Sequence, residues 1–105
     1  ELEKENISVE LIDLRTIAPL DVDTIIESVK KTGRVLIVHE AYKSFGPGAE
    51  LVSLINERAF FSLEAPPTRL AGFDVTVPLP RGEHHFLIKS SQIVHEARKL
   101  VHFLP

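Results

Sequence analysis

The sequence predicts an α/β protein, a three-layer α/β/α sandwich built on a mostly parallel sheet. One observation is the order strand, helix, strand, helix with short connections, which is typical of parallel layers. The other is the uninterrupted apolar run from Val35 to Val38, which suits a strand covered by helices on both faces. The chain has 105 residues, enough for one domain with a modest core, and its 44% hydrophobic content is ordinary for a globular protein.

The first third of the sequence predicts a strand, a loop and a helix. Residues 7–14 are rich in β-branched and aliphatic side chains and predict a strand, one face of which carries Ile7, Val9 and Leu11. After a loop, Asp21 is a good N-cap for a helix, and Leu20 is placed as its hydrophobic staple. Gly33 predicts a left-handed cap at the end of this helix. The helix presents one apolar stripe, which consists of Val22, Ile25, Ile26 and Val29.

The middle of the sequence predicts a second strand and a second helix. Residues 34–39 form the strand that contains the apolar run. The segment Gly46-Pro47-Gly48 opens the helix, because proline is tolerated in a first turn, and the helix should run to about Phe60. Its buried side consists of Leu51, Val52, Leu54, Ile55 and Ala59.

The last third of the sequence predicts a short strand, a long loop and a final helix. The strand covers Thr68 to Ala71, and residues 72–89 read as a long ordered loop because prolines and a glycine interrupt them. Ser90 or Ser91 is expected to be the N-cap of the final helix. The apolar stripe of this helix consists of Ile93, Val94, Ala97, Leu100, Val101 and Leu104.

Composition excludes several classes of function. Because the chain has no cysteine, it has no disulfide framework, thiolate metal site or cysteine nucleophile. The net charge is −3 and the 12 basic residues are scattered, which argues against binding to nucleic acid. No apolar run is long enough to cross a membrane, and the first residues resemble neither a signal nor a transit peptide. We therefore expect a cytoplasmic protein, or a mitochondrial-matrix protein in a eukaryote. The absence of methionine suggests a part of a longer chain.

The five histidines do not predict a metal site. His84 and His85 are adjacent, so on a strand they would point in opposite directions. His95 and His102 lie near one face of the last helix, but two turns, roughly 10 Å, separate them. We expect these histidines to be exposed or hydrogen-bonded.

Several polar residues are predicted at the carboxyl edge of the sheet, where open α/β sheets usually bind ligands. The pair His39-Glu40 is suited to acid–base chemistry or to holding the turn between strand and helix, and no nucleophile accompanies it. Gly46 to Gly48 either cradles an anion or permits a tight turn. Arg15 either binds an anion or pairs with a neighbouring carboxylate. The sequence leaves these alternatives open, although the structural role is favoured for His39-Glu40.

Several motifs lie along the chain in a specific order and spacing. They are Ile12-Asp13-Leu14-Arg15-Thr16-Ile17-Ala18-Pro19-Leu20-Asp21 with Thr24-Ile25, Ser28-Val29-Lys30-Lys31-Thr32-Gly33-Arg34, His39-Glu40-Ala41 with Gly46 to Glu50, and Leu63-Glu64-Ala65-Pro66. These motifs resemble the C-terminal domain of the β subunit of 2-oxo acid dehydrogenases, a family that includes the pyruvate and branched-chain enzymes. The resemblance covers nearly the whole chain.

The resemblance implies a domain of the decarboxylating first component of such a complex. That component is usually an α2β2 heterotetramer that binds thiamine diphosphate and magnesium between the α subunit and another domain of the β subunit. The domain resembles the transketolase C-terminal domain, which contributes to subunit assembly. It implies the α subunit, a second β subunit and the dihydrolipoyl acyltransferase as partners, with neither nucleic acid nor membrane. No catalytic, cofactor or metal residue is carried over to this chain, which alone should be inactive.

The resemblance also implies a docking site for the acyltransferase. Glu64 matches the carboxylate of the Leu-Glu-Ala-Pro motif, and Phe103 matches an aromatic residue near the carboxyl terminus. Glu64 is expected to pair with a basic residue of the partner, with Phe103 supplying apolar contact. Thr68 stands where some relatives have an acidic residue, so the charge pattern is incomplete. The apolar segments Phe60-Phe61 and Phe103-Leu104-Pro105 favour partner contact as well.

The resemblance implies a further strand and helix before this sequence, with residues 1–5 matching the end of that helix. We therefore expect the domain to lack its first strand and helix, to present unpaired strand edges and to be able to self-associate. Two alternatives remain open. One is a domain of another transketolase-like enzyme, such as transketolase or deoxyxylulose-phosphate synthase. The other is a stand-alone flavodoxin-like module that binds a small anion or nucleotide near Arg15, His39 and Gly46.

Overall fold

The computed structural model describes residues 2–14, 20–72 and 88–104. In chain order its main elements are helix α1 (Val22–Thr32), strand β1 (Leu36–Tyr42), helix α2 (Pro47–Ala59), strand β2 (Thr68–Gly72) and helix α3 (Ser90–Val101). Short 3-10 helices cover Leu2–Glu5 and Phe60–Ser62. The strand, helix, strand order from β1 to β2 forms one βαβ unit.

The two strands pair in parallel. Leu36 lies opposite Thr68 and Val38 lies opposite Leu70, with a change of register before Tyr42 meets Gly72. The pairing follows from the chain order, because α2 carries the chain back to the amino edge before β2 begins. The predicted parallel α/β fold is therefore confirmed.

Helix α1 begins and ends where the sequence predicts. The Asp21 carboxylate accepts hydrogen bonds from the Thr24 backbone N–H (3.3 Å) and the Thr24 hydroxyl (2.8 Å), which satisfies a donor of the first turn. Gly33 adopts φ 72° and donates its N–H to the Val29 carbonyl at 2.7 Å. This left-handed residue ends the helix and directs the chain into β1.

The hydrophobic core lies between α1, α2 and one face of the sheet. Ile55 on α2 is 1% exposed, and Ile37 is the residue of β1 that belongs to this core. Val35, which immediately precedes β1, also packs against this core. The buried residues of this cluster are Ile25, Ile26, Val29, Ile37, Leu51, Ile55 and Ala59.

Helix α3 covers the other face of the sheet. It contacts both strands, and its Leu100 is buried apart from the α1–α2 core. Three layers result, as the sequence predicts. The coverage is incomplete, because Val38 in the middle of β1 remains 41% exposed. The rest of the predicted apolar stripe of α3 is half-buried, and Leu104 beyond the helix is 86% exposed.

The predicted strand at residues 7–14 was wrong. This segment has no regular structure, and its expected apolar face is open, with Val9 60% and Leu11 88% exposed. A strand requires a neighbour that takes up its backbone hydrogen bonds. The segment forms no ladder with β1 or β2, so β propensity alone does not make it a strand. Leu14 nevertheless packs against the core.

The start of α3 also differs from the prediction. Lys89 is the N-cap and Ser90 is already the first helical residue. The Gln92 side chain accepts a hydrogen bond from the Lys89 backbone N–H at 2.7 Å, which fixes this boundary one residue earlier. Most of the predicted loop, residues 73–87, lies outside the described residues.

An ion pair joins the amino-terminal segment to α3. Arg98 donates through Nε and Nη2 to the Glu5 carboxylate at 2.8–3.0 Å. These hydrogen bonds from Arg98 hold the pKa of the Glu5 carboxyl below its ordinary value of 4.5, and the charges of Arg98 and His102 act in the same direction.

Across the described residues, no helix is long and apolar enough to cross a membrane.

Candidate functional site

The predicted docking residue Glu64 lies at the amino edge of the sheet. It follows the 3-10 helix Phe60–Ser62, which ends when the Leu63 N–H donates to the Phe60 carbonyl at 3.1 Å. The Glu64 N–H then donates to the Gly33 carbonyl at 2.7 Å. This bond fixes the backbone of Glu64 beside the left-handed turn that precedes β1.

Close packing against Gly33 fixes the side chain of Glu64 as well. A Cβ atom at Gly33 would lie 3.0 Å from Glu64 Cγ and 3.2 Å from Glu64 Oε2. A side chain at position 33 would therefore force the Glu64 side chain to move. Glycine avoids this contact and also adopts the positive φ of this position at little cost. The side chain of Glu64 is nevertheless 59% exposed, so its carboxylate remains accessible to a partner.

Arg34 joins Glu64 to the end of α3. Its Nη1 donates to Glu64 Oε2 at 2.6 Å, and its Nε donates to the Leu100 carbonyl at 3.0 Å. Only a third of the Arg34 side chain is exposed. One guanidinium therefore contacts two segments that lie 36 residues apart in sequence, which its planar fork of N–H groups makes possible.

The second predicted docking residue, Phe103, lies at the same edge. It follows α3, and its N–H donates to the Leu100 carbonyl at 3.4 Å. Arg34 Nε and the Phe103 backbone N–H therefore donate to the same carbonyl, which brings the backbone of Phe103 close to Arg34 and, through Arg34, to Glu64. Phe103 is 38% exposed. We call these three residues the amino-edge cluster.

Two further aromatic residues lie close to Glu64 in the chain. Phe60 and Phe61 pack edge to face with ring centroids 5.5 Å apart, and they are 59% and 99% exposed. They leave apolar surface on the 3-10 helix that leads to Glu64. Exposed aromatic rings of this kind are typical of protein–protein contact surfaces.

Sequence reasoning missed Arg34 as a member of this site. Its position directly after Gly33 and before an apolar strand places it at the amino edge of the sheet. That position alone does not reveal its two partners, because both contacts are long-range and depend on how α3 packs. Arg34 belongs to one of the motifs that carry the family resemblance, but the resemblance assigns no role to it.

The opposite, carboxyl edge of the sheet holds His39 and the start of α2. His39 Nε2 accepts a hydrogen bond of 3.0 Å from the Gly48 N–H. Arg69 on β2 donates through Nη1 to the Lys43 carbonyl at 2.6 Å, which secures the loop between β1 and α2. Because His39 already binds an N–H of the first turn, that group is not available to an anion. The geometry thus agrees with a structural role for His39.

The described histidines do not assemble a metal site. His95 and His102 are both exposed, on α3 and just after it. No group of three or more His, Cys, Asp or Glu residues able to hold a metal ion occurs in residues 2–14, 20–72 and 88–104. His84, His85 and Arg15 lie outside the described residues.

Comparison of the sequence with known protein families identifies the family of this chain. The model of the transketolase C-terminal domain matches residues 1–93. The chain belongs to the transketolase C-terminal domain family. It is also similar to the pyruvate dehydrogenase E1 component subunit beta of Acholeplasma laidlawii, with 56% identity over 104 residues. The proteins of the same description from Bacillus subtilis and Staphylococcus aureus are 48% and 47% identical over 103 residues.

These alignments cover nearly all of this chain and a smaller part of each relative. They include 98–99% of the chain but 32% of each relative, so the chain spans about a third of the length of the curated relatives that it matches. The match at this identity supports the same backbone fold in the relatives. The resemblance to such β subunits that the motifs indicate is therefore confirmed as a similarity, within the transketolase C-terminal domain family.

Proposed function

We propose that this chain is an assembly and docking domain of the β subunit of a thiamine-diphosphate-dependent 2-oxo acid dehydrogenase. The support is its similarity, at 47–56% identity, to E1 β subunits of pyruvate dehydrogenase. Pyruvate is thus the favoured substrate of the complete enzyme, and a branched-chain 2-oxo acid is the alternative. The complete enzyme would pass an acyl group from thiamine diphosphate to a lipoyl group of the acyltransferase.

In this proposal the chain supplies contacts to other subunits and no catalytic group. Its partners are the α subunit, a second β subunit and the dihydrolipoyl acyltransferase. Thiamine diphosphate and magnesium would bind elsewhere in the assembled enzyme. The residues of this domain then act by holding subunits in place, which brings the lipoyl group within reach of the active site.

The proposed docking surface for the acyltransferase is the amino-edge cluster. The observation that carries this assignment is the shared Leu100 carbonyl, which accepts hydrogen bonds from Arg34 Nε and the Phe103 N–H. Arg34 also binds Glu64, so the accessible Glu64 carboxylate lies near the backbone segment that carries Phe103, whose side chain is 38% exposed. Such a surface suits a partner that presents a cation next to an apolar side chain.

Binding measurements on the assembled α and β subunits test this proposal. Glu64→Gln and Phe103→Ala should each weaken binding of the acyltransferase's subunit-binding domain by about fivefold or more, since hot-spot residues contribute roughly 1 kcal/mol or more. Glu57→Gln and Phe45→Ala are matched controls, because both residues are exposed and lie outside the cluster. Unchanged affinity in both cluster variants, with normal assembly, would refute the docking role.

A further inference from the structure

We infer that Arg34 is the positioning residue of the docking surface: it holds the Glu64 carboxylate and the end of α3 in the arrangement that the partner binds. This inference rests on the proposed docking function and deepens it. It assigns to Arg34 a role in recognition without requiring that Arg34 touch the partner.

Arg34 is itself fixed before any partner binds. Two thirds of its side chain is covered, and its Nε donates to the Leu100 carbonyl at 3.0 Å. This carbonyl lies at the carboxyl end of α3, where backbone oxygens lack the donor four residues on that a continuing helix would supply and a positive charge is favourable. The guanidinium therefore has a defined orientation, with Nη1 directed at Glu64.

Glu64 is in turn fixed by Arg34. An exposed glutamate normally samples many rotamers and loses that freedom when it binds a partner. Here the 2.6 Å hydrogen bond from Nη1 and the contact with Gly33 restrict the side chain in advance. Part of the ordering cost of docking is then already met in the free protein, which strengthens binding without an additional contact.

The Arg34–Glu64 pair also leaves room for a second cation. The ion pair uses Oε2, and Oε1 makes no hydrogen bond to the residues that the structure describes. A carboxylate has four lone-pair sites, so Oε1 is able to accept a hydrogen bond from a Lys or Arg of the partner while Oε2 remains bonded to Arg34.

The alternative role for Arg34 is that of a competitor: its guanidinium would occupy the Glu64 carboxylate, and the partner's cation would have to displace it.

Two substitutions distinguish a positioning residue from a competitor. Arg34→Lys keeps the charge but lacks the planar fork that reaches both Leu100 and Glu64. Arg34→Gln removes the charge. In the assembled α and β subunits we expect both variants to weaken binding of the acyltransferase's subunit-binding domain by about three- to tenfold, the effect of losing one pre-ordered side chain. The loss should appear mainly as faster dissociation.

The controls separate a failure of this inference from a failure of the docking function. In a Glu64→Gln background, Arg34→Lys should cause much less further loss of affinity, because its effect acts through Glu64. Arg58→Gln removes an exposed arginine at the end of α2 and should leave affinity unchanged. Thermal unfolding of each variant shows whether the domain remains folded.

Three results would overturn the role of Arg34. One is tighter binding by Arg34→Gln with wild-type affinity in Arg34→Lys, which identifies a competitor. Another is unchanged affinity in both Arg34 variants while Glu64→Gln still weakens binding; the docking function then stands without Arg34. An effect of Arg34→Lys that is equally large in the Glu64→Gln background would also contradict it. If Glu64→Gln and Phe103→Ala are both silent, the docking function itself fails.

A measurement on the wild-type protein does not depend on the folding of any variant. In a crystal structure of the complex, Arg34 Nη1 should remain within hydrogen-bond distance of Glu64 Oε2, with the partner's cation at Oε1. A structure in which the partner's cation has displaced Arg34 from Glu64 would overturn the inference.

Discussion

His39 Nε2 accepts a hydrogen bond of 3.0 Å from the backbone N–H of Gly48. This bond joins the carboxyl half of β1 to the first turn of α2 and replaces a side-chain N-cap, because Gly46 at the N-cap position has none. The imidazole must present an unprotonated Nε2 to accept this bond. His39 therefore shapes the turn at which α/β proteins commonly bind ligands.

The close approach of His39 makes Gly48 sensitive to substitution. A Cβ at position 48 would lie 2.5 Å from His39 Nε2 and 3.0 Å from its Cδ2. We expect Gly48→Ala to destabilise the domain by about 1–3 kcal/mol, the usual range for overpacking. Denaturant unfolding measures this loss. The double variant His39→Ala/Gly48→Ala removes the clash and should recover part of the loss; no recovery would show that the contact is not its cause.

A second glycine, Gly33, connects the stability of the domain with the proposed docking surface. Gly33→Ala should cost about 1–2 kcal/mol, because an L-residue is strained at φ 72°. The new Cβ would also meet Glu64 Cγ at 3.0 Å, so the carboxylate must move. We expect weaker acyltransferase binding as well as a lower unfolding temperature. Wild-type affinity in a folded Gly33→Ala variant would contradict the proposed dependence of docking on the Glu64 side-chain position.

The Glu5–Arg98 ion pair predicts an acid-sensitive contribution to stability. The hydrogen bond from Arg98 lowers the pKa of Glu5 below 4.5, so the folded state favours the ionised form. This contribution is present in full above about pH 4.5 and is lost as pH falls through the lowered pKa. Glu5→Gln should therefore reduce the difference in unfolding free energy between neutral and acidic pH. A wild-type and a Glu5→Gln curve of identical pH dependence would contradict this.

Local signals in the sequence predicted most of the fold. Asp21 and Gly33 marked the ends of α1 because capping is a short-range interaction that residue type reveals. The prediction of a strand at residues 7–14 was wrong because a strand needs a neighbouring strand to pair with, and β-branched residues alone do not supply one. The predicted N-cap of α3, Ser90 or Ser91, lies one or two residues after the observed N-cap Lys89, because the Gln92 side chain accepts a hydrogen bond from the Lys89 backbone N–H.

The candidate site was predicted only in part. Glu64 and Phe103 came from a family resemblance, whereas the two contacts of Arg34, which connect Glu64 to the end of α3, span 30 and 66 residues of sequence. A pattern of residue types within a short stretch of sequence does not predict contacts between residues so far apart in the chain. His39 and Gly48 were both singled out by their position at the carboxyl edge, but the hydrogen bond between them became apparent only from the folded chain.

The binding of the acyltransferase to a Glu64→Lys variant tests the docking claim most directly. Titration calorimetry with the assembled α and β subunits measures it, with thermal unfolding as the check on folding. The substitution replaces the carboxylate with a second cation beside Arg34, and both then face a basic partner. We therefore expect binding to be lost, or weakened far more than in Glu64→Gln. Wild-type affinity in the folded, assembled variant would contradict the docking role of this surface.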